Sequence, residues 1–150
     1  MQFQLMNEAL LPAVLEVEQR AYPWPWTEGM FRDCLGSGYL CHVLVDAGQL
    51  LGYTVIMVAV GECHILNICI EPEQHGKGLG RMMLRHALET AIDHGAEHSY
   101  LEVRPSNIAA IRLYESMGYR QIGVRKDYYP AGDTREDALV YQLDLLGLAR

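Results

Sequence analysis

What the sequence lacks sets its first limits. Its longest apolar stretch, Leu50 to Val60, falls well short of the about 20 residues that a membrane-crossing helix needs. The segment MQFQLMNEAL has no basic start followed by an apolar core, so no secretory signal is expected and the protein is read as cytoplasmic. The cysteines Cys34, Cys41, Cys63 and Cys69 show neither a CxxC pair nor zinc-ligand spacing. Reduced thiols and no bound metal are therefore expected. Basic residues are outnumbered, 12 against 19 acidic ones, for a formal charge of −7. That deficit argues against a nucleic-acid surface and suits a basic partner drawn in over distance. Internal repeats, low-complexity tracts and a dividing linker are also missing. The 150 residues are read as one domain, 1–150, large enough to bury a core.

What is present alternates between strand and helix patterns. Phe3 to Met6 is a short strand candidate, and Asn7 can cap a helix running to about Arg20 if Pro12 lies in its first turn. An aromatic-proline loop, AYPWPW, follows, with Thr27 capping a short helix that ends near Gly36. Tyr39 to Val45 and Leu50 to Val60 read as a hairpin, and His64 to Ile70 as a strand that Pro72 ends. From Gly78 to His94 the apolar residues recur at helical spacing, and Gly95 fits the position after a helix. Tyr100 to Val103 is a strand, and Ser106 or Asn107 caps a helix stopping at Gly118. Strands from Tyr119 to Val124 and from Ala138 to Leu143 complete an α/β chain with hairpins first and helical crossovers later.

One stretch, EPEQHGKGLGRMML, runs three glycines into the start of a helix. Glycine costs about 1 kcal/mol against alanine inside a helix, so three of them at its start need a reason. Strand, proline, glycine loop and helix in that order aim backbone N–H groups and the positive end of a helix dipole at one point. Glycines let a phosphate approach that point closely. No GK[ST] follows, which excludes a Walker loop, and the third glycine of GxGxxG is out of register. Standing alone, the segment is more simply an ordinary glycine-rich turn.

A second stretch, LEVRPSNIAAIRLYESMGY, places Glu102 in an otherwise apolar strand. Asn107 and Tyr114, seven residues apart, fall on one side of a helix about two turns apart. Taken singly, Glu102 could be an exposed strand residue, Asn107 a cap and Tyr114 part of a core.

Together these motifs resemble the GNAT superfamily of N-acetyltransferases. The superfamily's acetyl-coenzyme A signature, Q/R-x-x-G-x-G/A, lies in register with His75-Gly76-Lys77-Gly78-Leu79-Gly80, His75 replacing the usual Gln or Arg. Within it the chain is similar to the RimI-type ribosomal-protein-alanine acetyltransferases, also through EQRAYPWPWTE, KDYYP and REDA. Pro25-Trp26 matches their pattern, and Tyr22 stands where histidine is common. The resemblance implies a central mixed, mostly antiparallel sheet of about six to seven strands flanked by about four helices. It further implies that backbone N–H groups of Gly76, Lys77, Gly78, Leu79, Gly80 and Arg81 hold the coenzyme A pyrophosphate. Ile68, Cys69 and Ile70 would pair with the pantetheine arm, and Asn107 would position the cofactor or Tyr114.

The implied reaction is direct acetyl transfer from acetyl-coenzyme A, without a metal, to the N-terminal alanine of a small-subunit ribosomal protein. An amino terminus has an ordinary pKa of about 8 and is mostly protonated at neutral pH, so a base must act. Glu102 is the candidate, directly or through a water. Tyr114 can protonate the departing thiolate, and a backbone N–H of Ile68 to Ile70 can face the oxyanion. Tyr22, Trp24 and Trp26 would grip the acceptor peptide or anchor the core, with Tyr128, Tyr129 and Pro130 closing the groove opposite. The implied partner is the basic end of a ribosomal protein, and no nucleic acid, no membrane and a monomeric enzyme are expected.

Rival readings were weaker on the residues themselves. Cys69 as a nucleophile lacks a paired histidine and is expected to be a buried thiol. Gly95 breaks the helix between His94 and His98, against a zinc site. Asp133, Glu136 and Asp137 are expected as solvated turn charges. A different amine acceptor and a non-catalytic coenzyme A-binding module remain the alternatives in function.

Overall fold

The computed structural model describes residues 1–147. Among them, strands β1 (Gln2–Leu5), β2 (Leu40–Asp46), β3 (Gln49–Ala59), β4 (Glu62–Ile70), β5 (His98–Val103), β6 (Arg120–Ala131) and β7 (Thr134–Asp144) lie in the order β1-β2-β3-β4-β5-β7-β6. The β4–β5 ladder is parallel, and β1–β2, β2–β3, β5–β7 and β6–β7 are antiparallel. The helices are α1 (Leu11–Ala21), α2 (Glu28–Gly36), α3 (Leu79–Asp93) and α4 (Ile108–Ser116). A mixed, mostly antiparallel seven-stranded sheet with four helices is thus what the sequence implied. The chain divides into two compact units, Met1–Met57 with Leu66–Glu89, and Val58–Ile65 with the chain from Thr90 on.

In the first unit α1 starts one turn later than Asn7 suggested. Asn7 Oδ1 accepts from the Leu10 N–H to cap a 3-10 turn, Glu8–Leu10, and Pro12 then falls in the first turn of α1. There its missing N–H costs no helical hydrogen bond. Leu11, Val14, Val17 and Glu18 form the buried stripe of α1. Thr27 caps α2 as expected, its Oγ1 accepting from the Met30 N–H at 3.3 Å. Phe31 and Cys34 of α2 join Val14, Tyr53, Val55 and Cys69 in one core, while Leu79 and Met83 of α3 close on Leu44 and Leu51 in another. Gly52 permits a close strand contact, because a Cβ there would stand 2.6 Å from the Cys69 carbonyl oxygen.

In the second unit α3 ends in a Schellman motif, with the Gly95 N–H donating to Ile92 O and the Ala96 N–H to Ala91 O, both at 2.9 Å. Strands β6 and β7 run further than their apolar patterns. The apolar pattern of β6 ends at Val124, yet Tyr129↔Glu136 and Pro130↔Arg135 are ladder pairs. An edge strand needs only backbone partners on one side, so polar side chains do not end it. The register shifts between Arg125 and Tyr129, where Asp127 takes φ 50° and its N–H donates to Asp137 Oδ1. Glu136 and Asp137 are therefore strand residues with partners rather than solvated turn charges; Asp133 does sit in the turn.

Candidate active site

The first unit carries the proposed cofactor elements. The β4–β5 ladder runs from Glu62↔His98 to Ile65↔Leu101, so Ile68, Cys69 and Ile70 lie past its end. Alternation along β4 turns Asn67 and Cys69 inward, leaving Ile68 and Ile70 only partly buried against the Leu79–Met83 cluster. The Ile68 carbonyl accepts from Tyr22 OH at 2.7 Å, and His75 Nε2 lies 3.0 Å from Ile70 O. His75 thus braces the strand end.

The glycine loop is held at its root. Glu71, 3% exposed, accepts from Arg20 Nη2 through Oε1 and from the Glu73 N–H through Oε2, while its own N–H donates to Leu51 O. Beyond a 3-10 turn, Pro72–Gln74, Gly76 and Gly78 take φ of 81° and 79°, in the left-handed region that favours glycine. A Cβ at either would point into open space, so the loop leaves room above its backbone. Helix α3 then begins, and its early bond from the Met82 N–H to Gly78 O means that the preceding N–H groups have no intrahelical acceptor. Gly78, Arg81 and Arg85 share one open depression, adding positive charge to that end. Unbonded backbone N–H groups, open space at the glycines and two arginines are the features a diphosphate site requires.

Gly78→Ala should therefore fold, since the added methyl meets nothing in the free protein and the positive φ costs only about 1–2 kcal/mol. Calorimetry on the folded variant should show coenzyme A binding weakened about tenfold or more, the methyl occupying the space of the phosphate. Unchanged affinity would return the loop to an ordinary turn.

The acceptor-loop residues divide. Trp24 is 42% exposed at the loop tip, whereas Trp26 packs on the core, its ring 5.1 Å from that of Phe31. Tyr22 is tied down by its bond to Ile68 O. Cys69 is buried among these groups, and desolvation pushes its thiol up to about 11. It is protonated at neutral pH and unsuited to be a nucleophile.

The second unit carries the proposed acid and base. Glu102 stands half-buried on β5 opposite Val140, with Oε2 3.0 Å from Arg125 Nε in an ion pair that lacks hydrogen-bond alignment. Arg125 in turn lies over the Tyr128 ring, 5.7 Å from its centroid. Tyr128 and Tyr129 meet edge to face at 5.0 Å, and Arg104 caps the Tyr129 ring at 4.4 Å. Burial first, then the Glu102 charge, pushes the Tyr129 phenol up, so it stays neutral.

Asn107 caps α4, its Oδ1 accepting from the Ala110 N–H at 3.2 Å, and Ser106 does not. Ser106 instead donates through its N–H and its hydroxyl to Glu136, which also pairs with Arg104. Desolvation opposes ionisation of Glu136, but the Ser106 and Arg104 hydrogen bonds prevail and hold its carboxyl below the ordinary range. Tyr114 is 7% exposed, packed 5.8 Å from the Tyr119 ring, and burial pushes its phenol up. His94 closes on Thr90 O at the end of α3 while His98 opens β5, and no group of His, Cys, Asp or Glu among the described residues is arranged to hold a metal.

Sequence reasoning passed over Glu18, Asn67, Arg104 and Arg125. Only a lone carboxylate on an apolar helix stripe, Glu18, carried a visible signal.

A mixed seven-stranded sheet with a glycine cradle opening α3 defines an acyl-transferring enzyme class. The chain belongs to the acetyltransferase (GNAT) family, whose model matches residues 11–119. Its relatives narrow this further. It is 38% identical to the [ribosomal protein bS18]-alanine N-acetyltransferase of Escherichia coli K12 over 90% of this chain and 91% of that one. A putative [ribosomal protein bS18]-alanine N-acetyltransferase of Bacillus subtilis is 36% identical, over 85% and 84% of the respective chains. The crystal structure of the ribosomal-protein-S18-alanine N-acetyltransferase from Escherichia coli superposes with a TM-score of 0.88 at 36% identity, covering 95% of this chain and 92% of that one.

Proposed function

We propose that this acetyltransferase transfers the acetyl group of acetyl-coenzyme A directly to the N-terminal alanine of a small-subunit ribosomal protein. The observation that carries the reading is similarity to bS18-alanine acetyltransferases over nine-tenths of both chains. In this reading the loop N–H groups from Gly76 to Arg81 bind the diphosphate and Ile68 to Ile70 align the pantetheine arm. Glu102 takes a proton from the acceptor ammonium, and the freed amine attacks the thioester carbonyl. Tyr114 donates to the sulfur as the C–S bond breaks. A backbone N–H of the Ile68 to Ile70 segment faces the oxyanion. The enzyme works as a monomer in the cytoplasm. No helix among the described residues is long and apolar enough to cross a membrane.

The acceptor is a basic, extended peptide. A formal charge of −7 attracts it over distance, and added salt should therefore raise the acceptor's KM more than it lowers kcat. Peptides beginning with alanine should gain one acetyl group, read by mass, and the same peptides with blocked amino termini should gain none. Acetylation of lysine in the blocked peptides at a similar rate would transfer the assignment to side-chain amines.

A further inference from the structure

Glu18 is the least expected group in the first unit. It lies on the buried stripe of α1 at 1% exposure, where an aliphatic side chain would pack without penalty. No cation pairs with it among the described residues. A buried carboxylate costs several kcal/mol unless its oxygens are well supplied with donors. Here they are: Oε1 accepts from Tyr53 OH of β3 at 2.6 Å and from Asn67 Nδ2 of β4 at 3.0 Å. Oε2 accepts from the Trp26 backbone N–H at 2.9 Å. Burial pushes the Tyr53 phenol far up, so it remains a donor. The side chain therefore joins four pieces: α1, β3, β4 and the aromatic-proline loop.

The loop is pinned at both ends. Tyr22 OH donates to the carbonyl of Ile68, the residue after Asn67, and the Trp26 N–H donates to Glu18. Between these anchors Pro23, Trp24 and Pro25 form an exposed arch. Two prolines stiffen it, and the bond from the Trp26 N–H ties its far end to Glu18 beside the core packing of the Trp26 ring. We infer that Glu18 is a positioning residue for the acceptor, a buried carboxylate that fixes the height of the Trp24 arch relative to the Asn67–Ile70 strand. The inference rests on the reading that this arch holds the acceptor. Glutamine cannot replace it fully: an amide offers one acceptor oxygen where three donors converge. Tyr53 can turn its hydroxyl, but the Trp26 N–H and the Asn67 amide then compete for what is left.

Three variants of the full-length enzyme, Glu18→Gln, Glu18→Asp and Trp24→Ala, test this with a ribosomal-type alanine peptide and acetyl-coenzyme A. Glu18→Gln should raise the peptide KM about tenfold, the size of one lost hydrogen bond to a charged group, with kcat and the KM for acetyl-coenzyme A within about threefold of the parent. Glu18→Asp keeps the charge but withdraws it by one methylene, and should give an intermediate rise. It also serves if the glutamine variant fails to fold. A merely structural role would lower the active fraction, reducing kcat for both substrates with peptide KM unchanged; that result in folded variants overturns the inference. Trp24→Ala separates the two levels of failure. If Trp24→Ala raises the peptide KM and the Glu18 variants do not, Glu18 has no positioning role and the arch still holds the acceptor. If none of the three alters peptide KM, the arch does not hold the acceptor, and the inference falls with that reading.

Discussion

Glu102→Gln should lower kcat/KM by roughly two to four orders of magnitude, the range lost when a positioned acid or base is removed. The substitution preserves size and polarity but leaves nothing to accept a proton at neutral pH. Its ion pair with Arg125 is not a large part of the fold's stability, because Arg125 is mostly exposed and such pairs contribute about 0–1 kcal/mol. The variant should therefore melt close to the parent and bind coenzyme A as tightly. Raising the pH should recover part of the rate, since an amino terminus with a pKa of about 8 deprotonates unaided. The sign is specific: the deficit shrinks as pH rises through that value and is largest below it. A variant that transfers acetyl at the parent rate across this range would show that Glu102 is only a strand carboxylate balanced by Arg125.

Tyr114→Phe should lower kcat by about one hundredfold or more, and alkaline pH should not restore it. Burial holds the Tyr114 phenol above its ordinary range, so it is protonated at every working pH. That same shift makes it a weak acid toward a thiolate whose conjugate thiol has a pKa of about 8.5. In the proposed mechanism its contribution is accordingly a hydrogen bond that strengthens as charge grows on sulfur, rather than a proton handed over in advance. The defect should shrink with acetyl donors whose leaving thiol is more acidic, because those need less help. Phenylalanine keeps the packing against Tyr119, so stability should change little. A defect that stays constant across such donors would assign the tyrosine to packing instead.

The two substitutions also diverge in what they leave intact. A Glu102 variant assisted by pH should still require Tyr114, and a Tyr114 variant assisted by a better leaving group should still require Glu102. Measured together, the double variant should lose about the sum of the two barriers if Glu102 serves the acceptor amine and Tyr114 the leaving sulfur independently.

Much of this was legible in the chain because it is local. Leu79, Met83, Leu84, Ala87, Leu88, Ala91 and Ile92 recur at helical spacing, and all but the half-buried Ile92 are buried on α3. Thr27 and Asn107 cap the helices that follow them, since a cap depends only on residues three positions away. The glycines at 76 and 78 permit the left-handed backbone that the loop adopts, a freedom carried by the residues themselves. Strand β6 runs past the end its apolar residues suggest because Arg125, Lys126 and Asp127 interrupt the pattern without ending the ladder, and almost the whole strand is exposed.

The sequence by itself determined the order of strands and helices, the glycine cradle at the start of α3, and the family to which those motifs belong. Their signals are periodicities and spacings within a few residues. Tertiary structure alone decided the distant partners of Glu18 and Glu136. Glu18 finds Tyr53 and Asn67, 35 and 49 positions away, and Arg104 finds Glu136 across 32. Glu136 looked like a turn charge until β7 carried it to Ser106 and Arg104. Nothing local encodes such pairings, because a carboxylate carries the same letter whether it meets water or three donors. What distinguishes the cases is the cost of burying charge, and that cost is set only when distant segments pack together.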